Sequence, residues 1–312
     1  MHSYVIIDCG TNTFHLNKWQ VLPEGSLHLV HAERIPVFIW PEPSPHGYLF
    51  SNLAMERMVE AFQQFKSHTQ GIKPQHCLAV GTAAFRKALN AEQIQNQLFK
   101  ATGIRMITLS GQDEAYWISQ GIISVHPKNS INGLIMDIGG GSTEFIHVQH
   151  SEPLACFSFN AGVSLLKERF PISTIVNENS LITVLKFLDD LMTPLLKLNL
   201  VSEVLYGAAG VFETFQELAA TRYLNSTDLL ETSLVLQICK DVFESTEAER
   251  NAWLGLIPMR RSTILQSALL LHWVFTRISL KHLKIETAAL KEGLIFGLVH
   301  ERFKNIRPDS HH

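Results

Sequence analysis

The stretch "GLIMDIGGGSTEFIHV" at 133–148 decides the fold, because it reads as a buried strand, a glycine turn and a second strand, with Asp137 closing the first apolar run. A blurred copy, "SYVIIDCGTNTFHL", stands at 3–16. In each, an Asp is followed two residues later by Gly and five later by a hydroxyl residue: Asp8, Gly10, Thr13, and Asp137, Gly139, Ser142. A Gly-rich turn lets backbone N–H groups converge on an anion, since no Cβ blocks the approach, and hydroxyls add donors. Neither turn is a Walker loop, for no Gly-Lys-Ser/Thr follows, and neither is a dinucleotide fingerprint, for a strand rather than a helix comes next. One such turn alone is best explained as a tight hairpin. Two matched turns, each after an Asp that would be costly to bury without a cation or donors, point instead to paired hairpins that clamp a metal-bound phosphate.

Outward from these turns, strands and helices alternate. "RMVEAFQQFKSH" at 57–68 has helical spacing, and "HCLAVG" at 76–81 is a short buried strand. "NAEQIQNQLFKATG" at 90–103 opens on Asn90 and Gln93 as a capping pair and stops at Gly103. "IRMITL" at 104–109 is a strand, after which Ser110 N-caps a helix with Asp113 three residues on. The order then repeats through the second hairpin and "EVLYGAAGVFETF" at 203–215. The segment "VHPKNS" at 125–130 marks the boundary, giving an expected first domain over 1–124 and a second over 125–312. The C-terminal stretch reads as two helical parts in the second half, the last having the alternative of packing back on the first domain. The 129-residue offset between Asp8 and Asp137 suits a domain duplication rather than a solenoid.

Composition narrows the function classes. At 312 residues with 46% hydrophobic and 18% charged residues, the chain has material for two cores, and its net charge of −3 gives no overall basic field, so a polyanionic partner must be held by a local cluster and extensive binding of duplex nucleic acid is not expected. Cys9, Cys77, Cys156 and Cys239 lack paired or metal-like spacing and read as core thiols of a reducing compartment. No signal peptide or membrane span stands out, so a cytoplasmic, membrane-free protein is expected. The fifteen histidines read as scattered, and no role is given to His311 and His312.

"DCGTNTF", "GTAAFRKALN" at 81–90, "SGQDEA" at 110–115, "DIGGGSTE" and "GAAG" at 207–210 stand in the order and spacing of the exopolyphosphatase and guanosine pentaphosphate phosphohydrolase family, which the chain resembles over nearly its whole length. The resemblance implies an α/β fold of two ribonuclease H-like (actin-like ATPase) domains with a cleft between them. It also implies a phosphoanhydride hydrolase, releasing terminal phosphate from polyphosphate or guanosine pentaphosphate with Mg²⁺ or another divalent cation. A kinase of the same fold and a catalytically weak nucleotide or polyphosphate sensor are the alternatives. A homodimer fits the size class.

By resemblance, Glu114 activates the attacking water and Arg86 meets phosphate oxygens with its planar fork. Gly10, Thr11, Asn12 and Thr13, with Gly139, Gly140, Gly141 and Ser142, form the phosphate turns, and Gly207 and Gly210 lie under distal phosphates or a base. Asp137 and Glu144 resemble the metal-side carboxylates, with Asp8 acting through water; their oxygens suit magnesium. Without the resemblance, Glu114 would be a residue favoured by the helix dipole alone, Glu144 an ordinary surface-facing strand residue and Lys87 a solvated charge. The chain departs from the family at Ala209, Ser262 and Lys291, and at the aromatic, proline-rich "RIPVFIWPEPSPHGYLF" at 34–50. These departures bear on substrate choice.

Overall fold

The computed structural model describes residues 2–23, 25–172, 175–208 and 210–300. The described residues form two compact units, one running from 2 to 124 with 290–300 and one from 125 to 289.

The first unit begins with a three-stranded meander, β1 (Ser3–Cys9), β2 (Thr13–Val21) and β3 (Leu27–Pro36). Alternation of Phe14 and Leu16 with more polar residues continues into Glu33 and Ile35, so a third strand follows where the sequence announces only a hairpin. The proline-rich stretch forms the small hairpin β4 (Glu42–Ser44) and β5 (Gly47–Leu49). Ser51 caps α1 (Asn52–Thr69) by accepting from the Ala54 N–H, and Met58, Phe62 and Phe65 of that helix bury against Phe14 and Leu16. β6 (Cys77–Gly81), α2 (Ala83–Lys87), α3 (Ala91–Thr102), β7 (Met106–Thr108) and α4 (Gly111–Ser124) complete the expected alternation. Gly103 ends α3 in the left-handed conformation, as read from the sequence. Asn90 does not cap it: its amide instead bonds both ways to the backbone of Phe50, fixing the small hairpin to the body.

The second unit repeats the plan with β8 (Gly133–Ile138), β9 (Thr143–Gln149) and β10 (Glu152–Phe159). Then come α5 (Val163–Arg169), α6 (Glu178–Leu191), α7 (Thr193–Leu196), β11 (Val204–Ala208), α8 (Gly210–Tyr223), β12 (Leu229–Glu231), α9 (Thr232–Glu244), α10 (Glu247–Asn251), α11 (Pro258–Arg261), α12 (Ile264–Arg277) and β13 (His282–Glu286). β13 lies between the two helical parts read from the sequence, where the short run "HLKIE" joins the sheet in parallel with β11. The sheets run β3-β2-β1-β6-β7 and β10-β9-β8-β11-β13-β12. In both, an antiparallel meander leads into parallel strands, the ribonuclease H-like order. Apolar α12 is buried almost all round against Phe145 and the other helices of this unit.

The last helix, α13 (Leu290–Val299), belongs to the first unit and packs on β1 and α4. The second unit therefore ends at Ala289. Gly293 permits this packing, since a Cβ there would sit 1.8 Å from the Trp117 carbonyl oxygen of α4. Cys9 and Cys239 are buried, Cys77 and Cys156 half-buried, and all four are free. Burial pushes their thiols up, Cys77 to about 12. Among the described residues no helix is long and apolar enough to cross a membrane.

Candidate active site

In the first unit, Glu114 lies in the opening turn of α4, which Ser110 caps by accepting from the Asp113 N–H at 3.1 Å. Glu114 is buried, against the alternative of an exposed residue placed only by the helix dipole. Arg86 of α2 reaches its Oε2 through Nη1 at 2.5 Å, and the same nitrogen donates to the Leu109 carbonyl at 3.2 Å. Two elements separated by a strand and a helix thus hold a carboxylate and a guanidinium together in charge-assisted contact. Lys87 does not simply point into water: its ammonium sits 4.1 Å from the centre of the Tyr48 ring, a cation–π contact.

The first glycine turn is fixed from behind. Thr11 and Asn12 present their carbonyls to the N–H groups of Ile39, Val37 and Phe38 at 2.8 to 3.2 Å, so the stretch after β3 clamps the turn. Thr11 and Thr13 are buried, and a Cβ on Gly10 would meet the Thr13 carbonyl at 3.1 Å. Asp8, at the end of β1, keeps partial exposure but is packed densely enough that burial pushes its carboxyl up to about 6; Lys291 lowers it and Glu292 raises it. Lys291 and Glu292, on α13, were not among the expected site residues.

In the second unit the spacing of Asp137 and Glu144 acquires a meaning, because the two are direct cross-strand partners on β8 and β9. Like charges directly opposite are unfavourable unless a cation or donors intervene. Glu144 is not surface-facing: it is 1% exposed, and Ser158, its partner on β10, donates a hydrogen bond to its Oε1 at 2.7 Å. The glycine turn between them is clamped by α5, whose Val163 and Ser164 N–H groups donate to the Gly139 and Gly140 carbonyls at 3.0 and 2.8 Å. A Cβ on Gly162 would lie 2.3 Å from the Gly140 carbonyl carbon, so the clamp closes on bare backbone. The Gly139 N–H is spent on the Ser142 carbonyl at 2.9 Å, which takes it out of the set of phosphate donors. Gly140 keeps partial exposure, while Gly141 and Ser142 are buried.

Further along this sheet, Gly207 lies beneath Phe212, whose ring would be 2.2 Å from a Cβ placed there. The Arg260 guanidinium reaches over Gly210 at the start of α8, where a Cβ would be 2.5 Å from its Nη2. The departure at Ala209 lies outside the described residues, as do His311 and His312. Arg260 is drawn to α8 from α11. One feature escapes the sequence reading: Glu286, at the end of β13, pairs with His126 at 2.9 Å. Glu286 lies beside Ala208, itself beside Asp137, in one row across the sheet. Only strand register shows this, since the three residues are far apart in the chain.

The chain resembles known proteins over most of its length. An exopolyphosphatase from Cytophaga hutchinsonii is 26% identical, superposing with a TM-score of 0.87 over 96% of this chain and 98% of that one. The Aquifex aeolicus PPX-GPPA enzyme, at 19% identity and a TM-score of 0.78 over 96% and 99%, shares the fold. The model of the Ppx/GppA phosphatase family matches residues 23–302. With the paired glycine hairpins and the buried Glu114, that match places the chain in the Ppx/GppA phosphatase family, a membership that supports a phosphohydrolase function.

Proposed function

We propose that the protein is an exopolyphosphatase, hydrolysing the terminal phosphoanhydride of inorganic polyphosphate. The observation that carries this reading is the Glu114–Arg86 pair: a buried carboxylate held by a guanidinium at 2.5 Å in the first turn of a helix. The oxygen of water attacks the terminal phosphorus while Glu114 takes the proton that water loses. The bond from phosphorus to the bridging oxygen breaks, and the shortened chain leaves with that oxygen. Arg86 orients Glu114 and offers its guanidinium to the phosphate oxygens.

The family is generally divalent-cation dependent, and the donors present fit a hard cation. Asp137 and Glu144 face each other across two strands, and such a pair is stabilised by a bound Mg²⁺. These two residues would hold the ion, and Asp8 is the matching carboxylate of the first unit. A bound magnesium ion would neutralise phosphate charge. Gly10 to Thr13 and Gly140 to Ser142 would contact phosphate oxygens, and Gly207 and Gly210 the more distal part of the substrate. The similarity to the Cytophaga hutchinsonii exopolyphosphatase favours polyphosphate over a guanosine substrate.

Phosphate release from long polyphosphate, short polyphosphate and guanosine pentaphosphate, measured side by side with magnesium, tests the reading. Fastest release from a polyphosphate is expected. Preference for guanosine pentaphosphate would replace the substrate, and ligand binding without release from any of the three would make the protein a sensor.

A further inference from the structure

We propose that His31, Glu33 and His68 form a transition-metal site in the first unit, separate from the carboxylates assigned to magnesium. Strand β3 is the edge of its sheet, and the two-residue period puts His31 and Glu33 on one face. That face is the one turned toward α1: Glu33 pairs with buried Leu16, and Ile35, two residues on, packs into the core beneath that helix. His68, in the last turn of α1, brings its ring over His31, stacked at 4.0 Å and 17°. The sequence reading of scattered histidines misses this because the two imidazoles come from different elements.

Three potential ligand atoms converge there, all within 4.8 Å of one another. Glu33 Oε2 lies 3.7 Å from His31 Nε2 and 3.3 Å from His68 Nε2. Ligands bound tetrahedrally at about 2.0 to 2.1 Å sit roughly 3.3 Å apart, so side-chain rotations that unstack the two imidazoles and turn both ring planes toward one point would close the triad on one ion. His31 Nε2 and Glu33 Oε2 are shut off from solvent and lack a hydrogen-bond partner, a costly state that metal ligation would relieve. Lys18 is the strand partner of His31, and its ammonium donates to the His68 carbonyl at 3.3 Å. Two imidazoles and one carboxylate select a borderline ion of the zinc class over magnesium, and the partial exposure of all three side chains leaves room for water as the remaining ligand. A bound ion would pin the edge strand to the end of α1.

The test is titration of the full chain with Co²⁺ in excess Mg²⁺, read by visible absorbance and competed with Zn²⁺. It is run in a background where His311→Ala and His312→Ala remove the terminal imidazoles. One equivalent of Co²⁺ is expected to give a tetrahedral spectrum that Zn²⁺ abolishes, and His31→Ala or His68→Gln should each weaken binding at least about tenfold. Zn²⁺ should also raise the melting temperature of the parent and not of the variants. His68→Gln, at a partly exposed helix end, keeps the test open if His31→Ala does not fold. A spectrum and a melting shift unchanged in His68→Gln, or the absence of any Co²⁺ spectrum in the parent, would overturn the site.

Discussion

The two glycine hairpins share a backbone and differ in charge. In each, an Asp stands near the end of the first strand, and a Cβ on the Gly two residues later would meet the carbonyl three residues beyond it at 3.1 to 3.2 Å. In each, N–H groups from a later segment hold the turn carbonyls, Val37 to Ile39 in the first unit and the start of α5 in the second. The residue opposite the Asp is different: Asp8 faces His15, which in turn faces Arg34, whereas Asp137 faces Glu144, which faces Ser158. The first row sets its carboxylate among basic side chains and the second doubles it. The same turn thus carries an acidic pair in the second unit and a carboxylate opposite a histidine in the first, through side chains seven residues downstream of each Asp.

The largest expected effect tests whether the first unit is the hydrolytic half. Glu114→Gln should lower phosphate release by about 10²- to 10⁴-fold while substrate affinity stays nearly unchanged, since the amide keeps its shape but takes no proton. Wild-type turnover in that variant would return Glu114 to a structural role. Next, the charge difference between the hairpins can be broken directly. Glu144→Gln should raise the magnesium concentration for half-maximal activity by at least about tenfold, and His15→Gln, at the matching position, should barely move it. Equal shifts in both would mean that the acidic pair is not what holds the ion.

The shared backbone makes a smaller, structural prediction. Gly162→Ala should cost about 1 to 3 kcal/mol in chemical denaturation, because its Cβ would strike the Gly140 backbone at 2.3 Å. Gly10→Ala and Gly139→Ala, with contacts of 3.1 and 3.2 Å and no positive φ, should each cost under about 1 kcal/mol and by similar amounts. The smallest effect concerns pH. Asp8 is raised from 3.8 to about 6 on folding, so the native state binds the extra proton between those values and loses stability as pH rises through that window. Asp8→Asn should therefore raise the melting temperature of metal-free protein more at pH 7.5 than at pH 4.5. The reverse ordering would mean that Lys291 outweighs burial at that carboxyl.

The sequence by itself determined the two hairpins, the capped helix that carries Glu114 and the alternation that builds both sheets. These rest on local signals: apolar periodicity, glycine where backbone must come close, and Ser110 before an acidic turn. Asn90 shows where such a signal fails, for a side chain able to cap was taken by the Phe50 backbone, a partner 40 residues away. Only tertiary structure decided which side chains stand beside the carboxylates. Even pairing back from the His150–Ser151 turn would set Phe157 against Glu144; the irregularity between Pro153 and Ala155 shifts the register by one and puts Ser158 there. Arg86 beside Glu114 and Lys291 near Asp8 likewise depend on how α2, α4 and α13 pack, with Gly293 setting the closeness of the last two. Strand formation is a matter of neighbours a few residues apart. The electrostatics of a buried carboxylate depend on whichever groups the folded chain brings within a few ångströms, and sequence distance does not record that.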